Sequence, residues 1–118
     1  MMSGWAQSKP LKTLIMYFYY VYIIKCSDES YYTGITNNLE WRFKQHQFGF
    51  NKDSYTYNRR PLTLEFHQEF NDVLQAIYFE KKIKGWTRLK KQALIKGDFD
   101  MLQILSECRN ATHYKYKN

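Results

Sequence analysis

Arg42 and His46 stand four residues apart in "TNNLEWRFKQH", a spacing that sets them together on one face of a helix. The arginine fork matches phosphate oxygens two at a time, so the pair could act as phosphate clamp and proton carrier. A solvated helix face would carry the same two residues. Glu80 is a sharper anomaly, because it falls in the stripe Val73, Ala76, Ile77, Glu80, Ile83 and Lys84, which is otherwise mostly apolar. Burying an unpaired carboxylate costs several kcal/mol. Glu80 therefore either sits at the stripe's edge, snorkelling or pairing with Lys84, or binds a divalent cation. Magnesium takes one or two carboxylates and fills its shell with water and phosphate oxygen. The tyrosines of "YYVYIIKCSDESYYTGIT" are the third group. A phenol titrates near ~10, and a neighbouring cation lowers that or lets it relay a proton. Most of these tyrosines read as packing.

These groups need elements to hold them. Tyr17 to Lys25 reads as a strand covered on both faces, "SDES" as a turn, and Tyr31 to Thr36 as the returning strand. Tyr22 and Tyr32 share a face only if paired residue numbers sum to an even value, which requires an odd loop such as Asp28 to Ser30. Asn37 and Glu40 resemble a capping box opening a helix that turns Leu39 and Phe43 inward and stops at Gly49. A polar, aromatic loop follows, then a half-buried strand in which Leu62, Leu64, Phe66 and Phe70 alternate with polar residues. Asp72 opens a second helix, and Thr87 caps a third with Leu89, Ala93 and Leu94 inward and Gly97 at its end. Asp98 begins a short last helix. The order ββαβααα predicts an α+β domain.

At 118 residues the chain has the size of one domain with a real core. Residues 1–15 read as an extension outside the fold, 16–97 as the domain, and 98–118 as a helix with a frayed tail. A formal charge of +7 points to a polyanionic partner, nucleic acid before membrane. Two cysteines without a secretory pattern read as reduced thiols of a cytoplasmic protein, and the longest apolar run is too short to cross a bilayer. The basic run Lys81, Lys82, Lys84, Arg88, Lys90, Lys91 and Lys96 encloses Trp86, and Arg59 and Arg60 lie beside Tyr55 and Tyr57. Cation with aromatic suits a nucleic-acid strand. Arg59, Arg60, Lys82, Lys84, Trp86, Arg88, Lys90 and Lys91 are the candidate contacts, though a charge run is also an ordinary solvated face.

Taken together, the sequence resembles the GIY-YIG endonuclease superfamily, in particular its short single-domain bacterial members. The first motif element matches as Tyr20-Val21-Tyr22 and the second as Tyr32-Thr33-Gly34, with Arg42 and His46 on the next helix and Glu80 in "AIYFEKKIKGW". Tyr20 and Thr33 replace the pattern's usual glycine and isoleucine. The resemblance implies a three-stranded antiparallel β-sheet flanked by helices. It implies Tyr22, Tyr32, Arg42 and His46 as catalytic residues and Glu80 as sole protein ligand of one divalent metal, magnesium or manganese. The implied activity is endonucleolytic hydrolysis of DNA phosphodiesters, in repair or recombination, with Tyr22 as general base or water-orienting group. The alternatives are a catalytically inactive nucleic-acid-binding module and a partner of a repair complex. Charge does not separate DNA from RNA as the bound polymer.

Overall fold

The computed structural model describes residues 18–106; the expectations for residues 1–15 and for the tail beyond 106 lie outside the described residues. Backbone contacts divide the chain into two units, Met1–Lys81 and Lys82–Asn118.

In the first unit, β1 (Tyr19–Lys25), β2 (Tyr31–Thr36) and β3 (Thr63–Phe70) form an antiparallel sheet in the order β2-β1-β3. Central position explains why Val21, Tyr22, Ile23 and Ile24 are all buried, one after another. The Cys26 N–H donates to the Ser30 carbonyl at 2.8 Å and closes the hairpin around Ser27–Glu29. That odd loop lies one residue earlier than the expected Asp28 to Ser30 and pairs Tyr22 with Gly34 and Ile24 with Tyr32. Tyr22 and Tyr32 therefore share a face, as the parity argument requires.

Helix α1 (Leu39–Phe48) starts one residue later than the sequence suggests. Asn38, not Asn37, is the cap: its Oδ1 accepts the Trp41 N–H at 3.1 Å. The Thr36 hydroxyl accepts the Asn38 N–H at 3.1 Å and fixes the entry into the helix, so the Asn37–Glu40 box does not form the cap. Gly49 ends the helix at φ 70°. Glycine is needed there twice over, because a Cβ would also lie 2.7 Å from Cζ of Arg60. Leu39 and Phe43 turn inward as expected, against Tyr22, Ile24, Cys26 and Leu62.

β3 breaks the expected alternation. Ile23 faces Phe66 but Ile24 faces Leu64, so Glu65 is an extra residue in the ladder. Leu62 and Leu64 consequently join the Tyr22 cluster, while Phe66 and Phe70 go to the opposite face. There Phe79 of α2 (Val73–Lys84) meets them at ring-centroid distances of 6.5 and 5.3 Å. Asp72 caps α2 through its Oδ1, which accepts the Leu74 N–H at 3.0 Å. The inward stripe of α2 is narrower than its spacing implies. Ala76 and Glu80 are buried, whereas Val73 and Lys84 are exposed.

In the second unit, the Thr87 hydroxyl accepts the Lys90 N–H at 3.3 Å and opens α3 (Arg88–Lys96), which Gly97 ends at φ 73°. Ala93 and Leu94 are buried as expected, but Leu89 is 61% exposed. Lys90 takes the inward place instead, 7% exposed, with its ammonium 4.5 Å from the Trp86 ring centroid. A nine-residue helix leaves the phase of its buried stripe weakly determined, and a lysine stem packs as well as a leucine there. Asp98 Oδ1 accepts the Met101 N–H at 3.0 Å ahead of the helical residues 99–106. Among the described residues, no helix is long and apolar enough to cross a membrane. The fold is α+β, with a three-stranded antiparallel sheet and helices.

Candidate active site

Tyr22 reaches its position because Gly34 stands opposite it. A Cβ at residue 34 would collide with the Tyr22 hydroxyl and lie 2.5 Å from Cζ. Gly34 does not need a positive φ, so it serves close approach and not a turn. The phenol oxygen then lies 3.1 Å from Nε2 of His46 on α1. Burial pushes the Tyr22 pKa up to about 12; Tyr32 and Glu80 add to the rise, and the nearby Arg42 guanidinium opposes it. Burial, with the nearby Arg42 cation, holds His46 below its ordinary value.

The second ring nitrogen of His46 is also engaged. Nδ1 lies 2.8 Å from Oγ1 of Thr56, a fully buried side chain, and Thr56 Oγ1 lies 3.0 Å from Ser54 Oγ. One proton arrangement gives each buried group a partner. Tyr22 O–H donates to Nε2, Nδ1–H donates to Thr56, and Thr56 O–H donates to Ser54. The opposite tautomer would leave the Tyr22 proton without this acceptor.

Tyr32 is the other wall. Its ring stands 5.2 Å from His46 and 6.3 Å from Tyr22, and it stacks on Tyr55 at 6.0 Å with 20° between planes. The Arg59 guanidinium lies over the Tyr55 ring, 3.8 Å from its centroid, and donates to Asp28 Oδ2 at 3.0 Å. Arg42, held by a 3.1 Å bond from Nε to Gln45 Oε1, joins Tyr32, His46, Phe50, Tyr55 and Thr56 around a cleft of about 540 Å³. No carboxylate lines it.

Tyr22, Tyr32, Arg42 and His46 thus converge, as the sequence led us to expect. Glu80, 8% exposed, is near enough to act on the Tyr22 phenol. Among the described residues no three His, Cys, Asp or Glu side chains cluster as a metal cage. A cation held by Glu80 would complete its shell from water and phosphate, the habit of magnesium. Arg59 and Arg60 are partly committed within the loop: Arg60 lies 4.5 Å over Tyr57 and donates to its carbonyl at 2.9 Å. Lys82, Lys84 and Arg88 are exposed in the second unit, Trp86 and Lys91 are half-buried, and burial beside Lys84 lowers the Lys91 pKa. Lys90 is the one candidate contact the fold turns inward.

Sequence reasoning missed Thr56, Ser54 and Gln45. Gln45 was legible, three residues from Arg42 on one helix face. Thr56 was not, since it meets His46 through loop geometry that no local spacing encodes.

The UPF0213 protein of Haloquadratum walsbyi is 41% identical over 86 residues, covering 73% of this chain and 96% of that protein. That of Clostridium perfringens is 47% identical over 78 residues, 66% of this chain and 83% of its own length. A solution NMR structure of a UPF0213 protein from Bacillus halodurans is 35% identical, with a TM-score of 0.45 over 67% of this chain and 83% of that one. The model of the GIY-YIG catalytic domain matches residues 18–93, and the chain belongs to the GIY-YIG family, which is of nuclease type.

Proposed function

We propose that this protein hydrolyses DNA phosphodiester bonds with the help of one divalent cation held by Glu80. The observation that carries the reading is the 3.1 Å contact between the buried Tyr22 hydroxyl and His46, which lines a cleft together with Arg42 and Tyr32. A phenol with a pKa of about 12 is not a phenolate at neutral pH, so it needs an acceptor for its own proton. Neutral His46 supplies one. As a water oxygen bonds to phosphorus, its proton passes to the Tyr22 oxygen and the Tyr22 proton passes to Nε2. The bond from phosphorus to the leaving oxygen breaks on the opposite side. Arg42 binds the equatorial phosphate oxygens and stabilises their growing charge. Tyr32, edge-on to His46 and stacked on Tyr55, keeps the imidazole in place and forms one wall for the strand. A bound cation would polarise the phosphate and stabilise the leaving oxygen.

The test is cleavage of single-stranded, duplex and branched DNA with magnesium or manganese, by the parent protein, Glu80→Gln and Arg42→Ala. Each substitution should slow cleavage by roughly 10²- to 10³-fold. If the parent cuts nothing, or both variants cut as fast as it does, the proposal fails.

A further inference from the structure

Trp41, Phe48 and Phe50 are 50%, 64% and 58% exposed, and their rings touch one another. Trp41 meets Phe50 edge-on at 5.8 Å, and Phe48 stacks on Phe50 at 6.2 Å. None of the three belongs to the core cluster, where α1 spends Leu39 and Phe43. Three contacting aromatic rings left in water form a surface that the fold itself does not use.

Its surroundings identify the partner. Phe50 is also a wall of the cleft that holds Arg42, His46 and Tyr32, so the ledge is continuous with the candidate active site. The Arg60 guanidinium lies against Gly49, the residue between Phe48 and Phe50, and adds a cation within the ledge. The cleft lining carries the Arg42 cation and polar groups without a carboxylate, which suits an anionic strand and disfavours a basic peptide partner. Flat rings beside phosphate-binding cations make a stacking platform for bases. A base inside a duplex offers its faces only to its neighbours, whereas an unpaired base offers them to the protein.

We propose that the Trp41–Phe48–Phe50 ledge binds the unpaired bases of a single strand whose phosphate enters the cleft, making single-stranded segments the preferred substrate. This rests on the nuclease reading for the identity of the cleft, and it adds the substrate class.

The experiment measures binding in EDTA, where no cleavage occurs, to three labelled probes: a single-stranded oligonucleotide, the blunt duplex of the same sequence, and an abasic strand of equal length. Phe50→Ala and Trp41→Ala should each weaken single-strand binding by about 5- to 150-fold. Both should leave the duplex and abasic probes within about two-fold, since backbone contacts carry those. Trp41→Phe and Phe50→Tyr should keep near-parent affinity, which separates loss of a ring from loss of fold. Unchanged single-strand binding in the alanine variants, or equal losses on all three probes, overturns the ledge. Cleavage with magnesium, assayed separately, reports on the nuclease reading. A parent that shows ledge-dependent binding but cuts nothing defeats that reading alone, and one that cuts while ledge variants bind normally defeats the ledge alone.

Discussion

The Tyr22 hydroxyl and His46 Nε2 stand 3.1 Å apart, and their environments push their pKa values away from each other. The phenol is harder to ionise than usual and the imidazole harder to protonate, so both are neutral near pH 7. A neutral phenol donating to a neutral imidazole is a proton path ready in one direction.

Cleavage should rise with pH along a limb set by His46, at a midpoint below the ordinary histidine value, because burial and Arg42 both disfavour the cation. The same depressed pKa stabilises the fold above the unfolded value near ~6.5, and that contribution fades as pH falls through the folded value. Tyr22 has the opposite sense: its raised pKa contributes fully below ~10 and is lost as pH climbs through about 12, a difference of about 2–3 kcal/mol. His46→Asn should remove the acid limb, and Tyr22→Phe should flatten the alkaline loss in denaturant titrations. An acid limb that survives His46→Asn would contradict the assignment.

Thr56 holds His46 from behind through the 2.8 Å contact at Nδ1. Thr56→Val keeps the shape but frees the ring to adopt the other tautomer. Single-turnover cleavage should slow by about 10- to 100-fold, as with other groups that orient a reactive histidine. Thr56→Ser, which retains the hydroxyl, should restore most of the rate. A purely structural role predicts parallel loss of thermal stability and no rescue specific to the hydroxyl.

Gly34 and Tyr22 should be energetically coupled. Gly34→Ala forces a Cβ into the Tyr22 hydroxyl and Cζ, and its backbone angle gives no further reason for glycine. Overpacking of this kind costs about 1–3 kcal/mol. Tyr22→Phe removes the hydroxyl half of the collision, so a double-mutant cycle in urea should show non-additivity of at least about 0.5 kcal/mol. Additive effects would mean the ring moves away without cost.

The hairpin, the shared face of Tyr22 and Tyr32 and the helix carrying Arg42 and His46 were legible because strand parity and i,i+4 spacing are local facts. The bulge at Glu65 was not. An alternating strand reads the same with or without an extra residue, and only pairing with β1 shows that Leu64 and Phe66 part company. The capping-box spacing to Glu40 favours Asn37 in sequence, but the Thr36 hydroxyl fixes Asn38 as the cap. Thr56 stayed hidden for a related reason: it lies ten positions beyond His46, and only the folded loop after α1 returns it to the imidazole.

Thr33 occupies the place where the family pattern has isoleucine, and its hydroxyl is buried without a hydrogen-bond partner among the described residues. A stranded buried hydroxyl costs about 1–3 kcal/mol, and an apolar group of the same shape avoids it. Thr33→Val should therefore raise the thermal midpoint without altering cleavage, since the residue lies on the sheet face away from Tyr22. Destabilisation by Thr33→Val would reveal a partner for the hydroxyl.

The second unit offers a contrast within one basic run. Arg88 is exposed, whereas Lys90 two residues later is buried with its ammonium over Trp86. If this unit contacts the DNA backbone, Arg88→Ala should reduce the slope of log affinity against log salt by about 0.7 to 0.9, the share of one neutralised phosphate. Lys90→Ala should leave that slope within error and lower thermal stability instead, because it removes a packed stem and a cation–π contact. Charge-reversal at Lys82 should act as Arg88→Ala does, more strongly. The two kinds of lysine are indistinguishable in the sequence and opposite in the fold, so the salt slope separates them where affinity alone would not. A slope indifferent to Arg88 and Lys82 would remove this unit from the nucleic-acid interface and leave binding to the cleft and its loop.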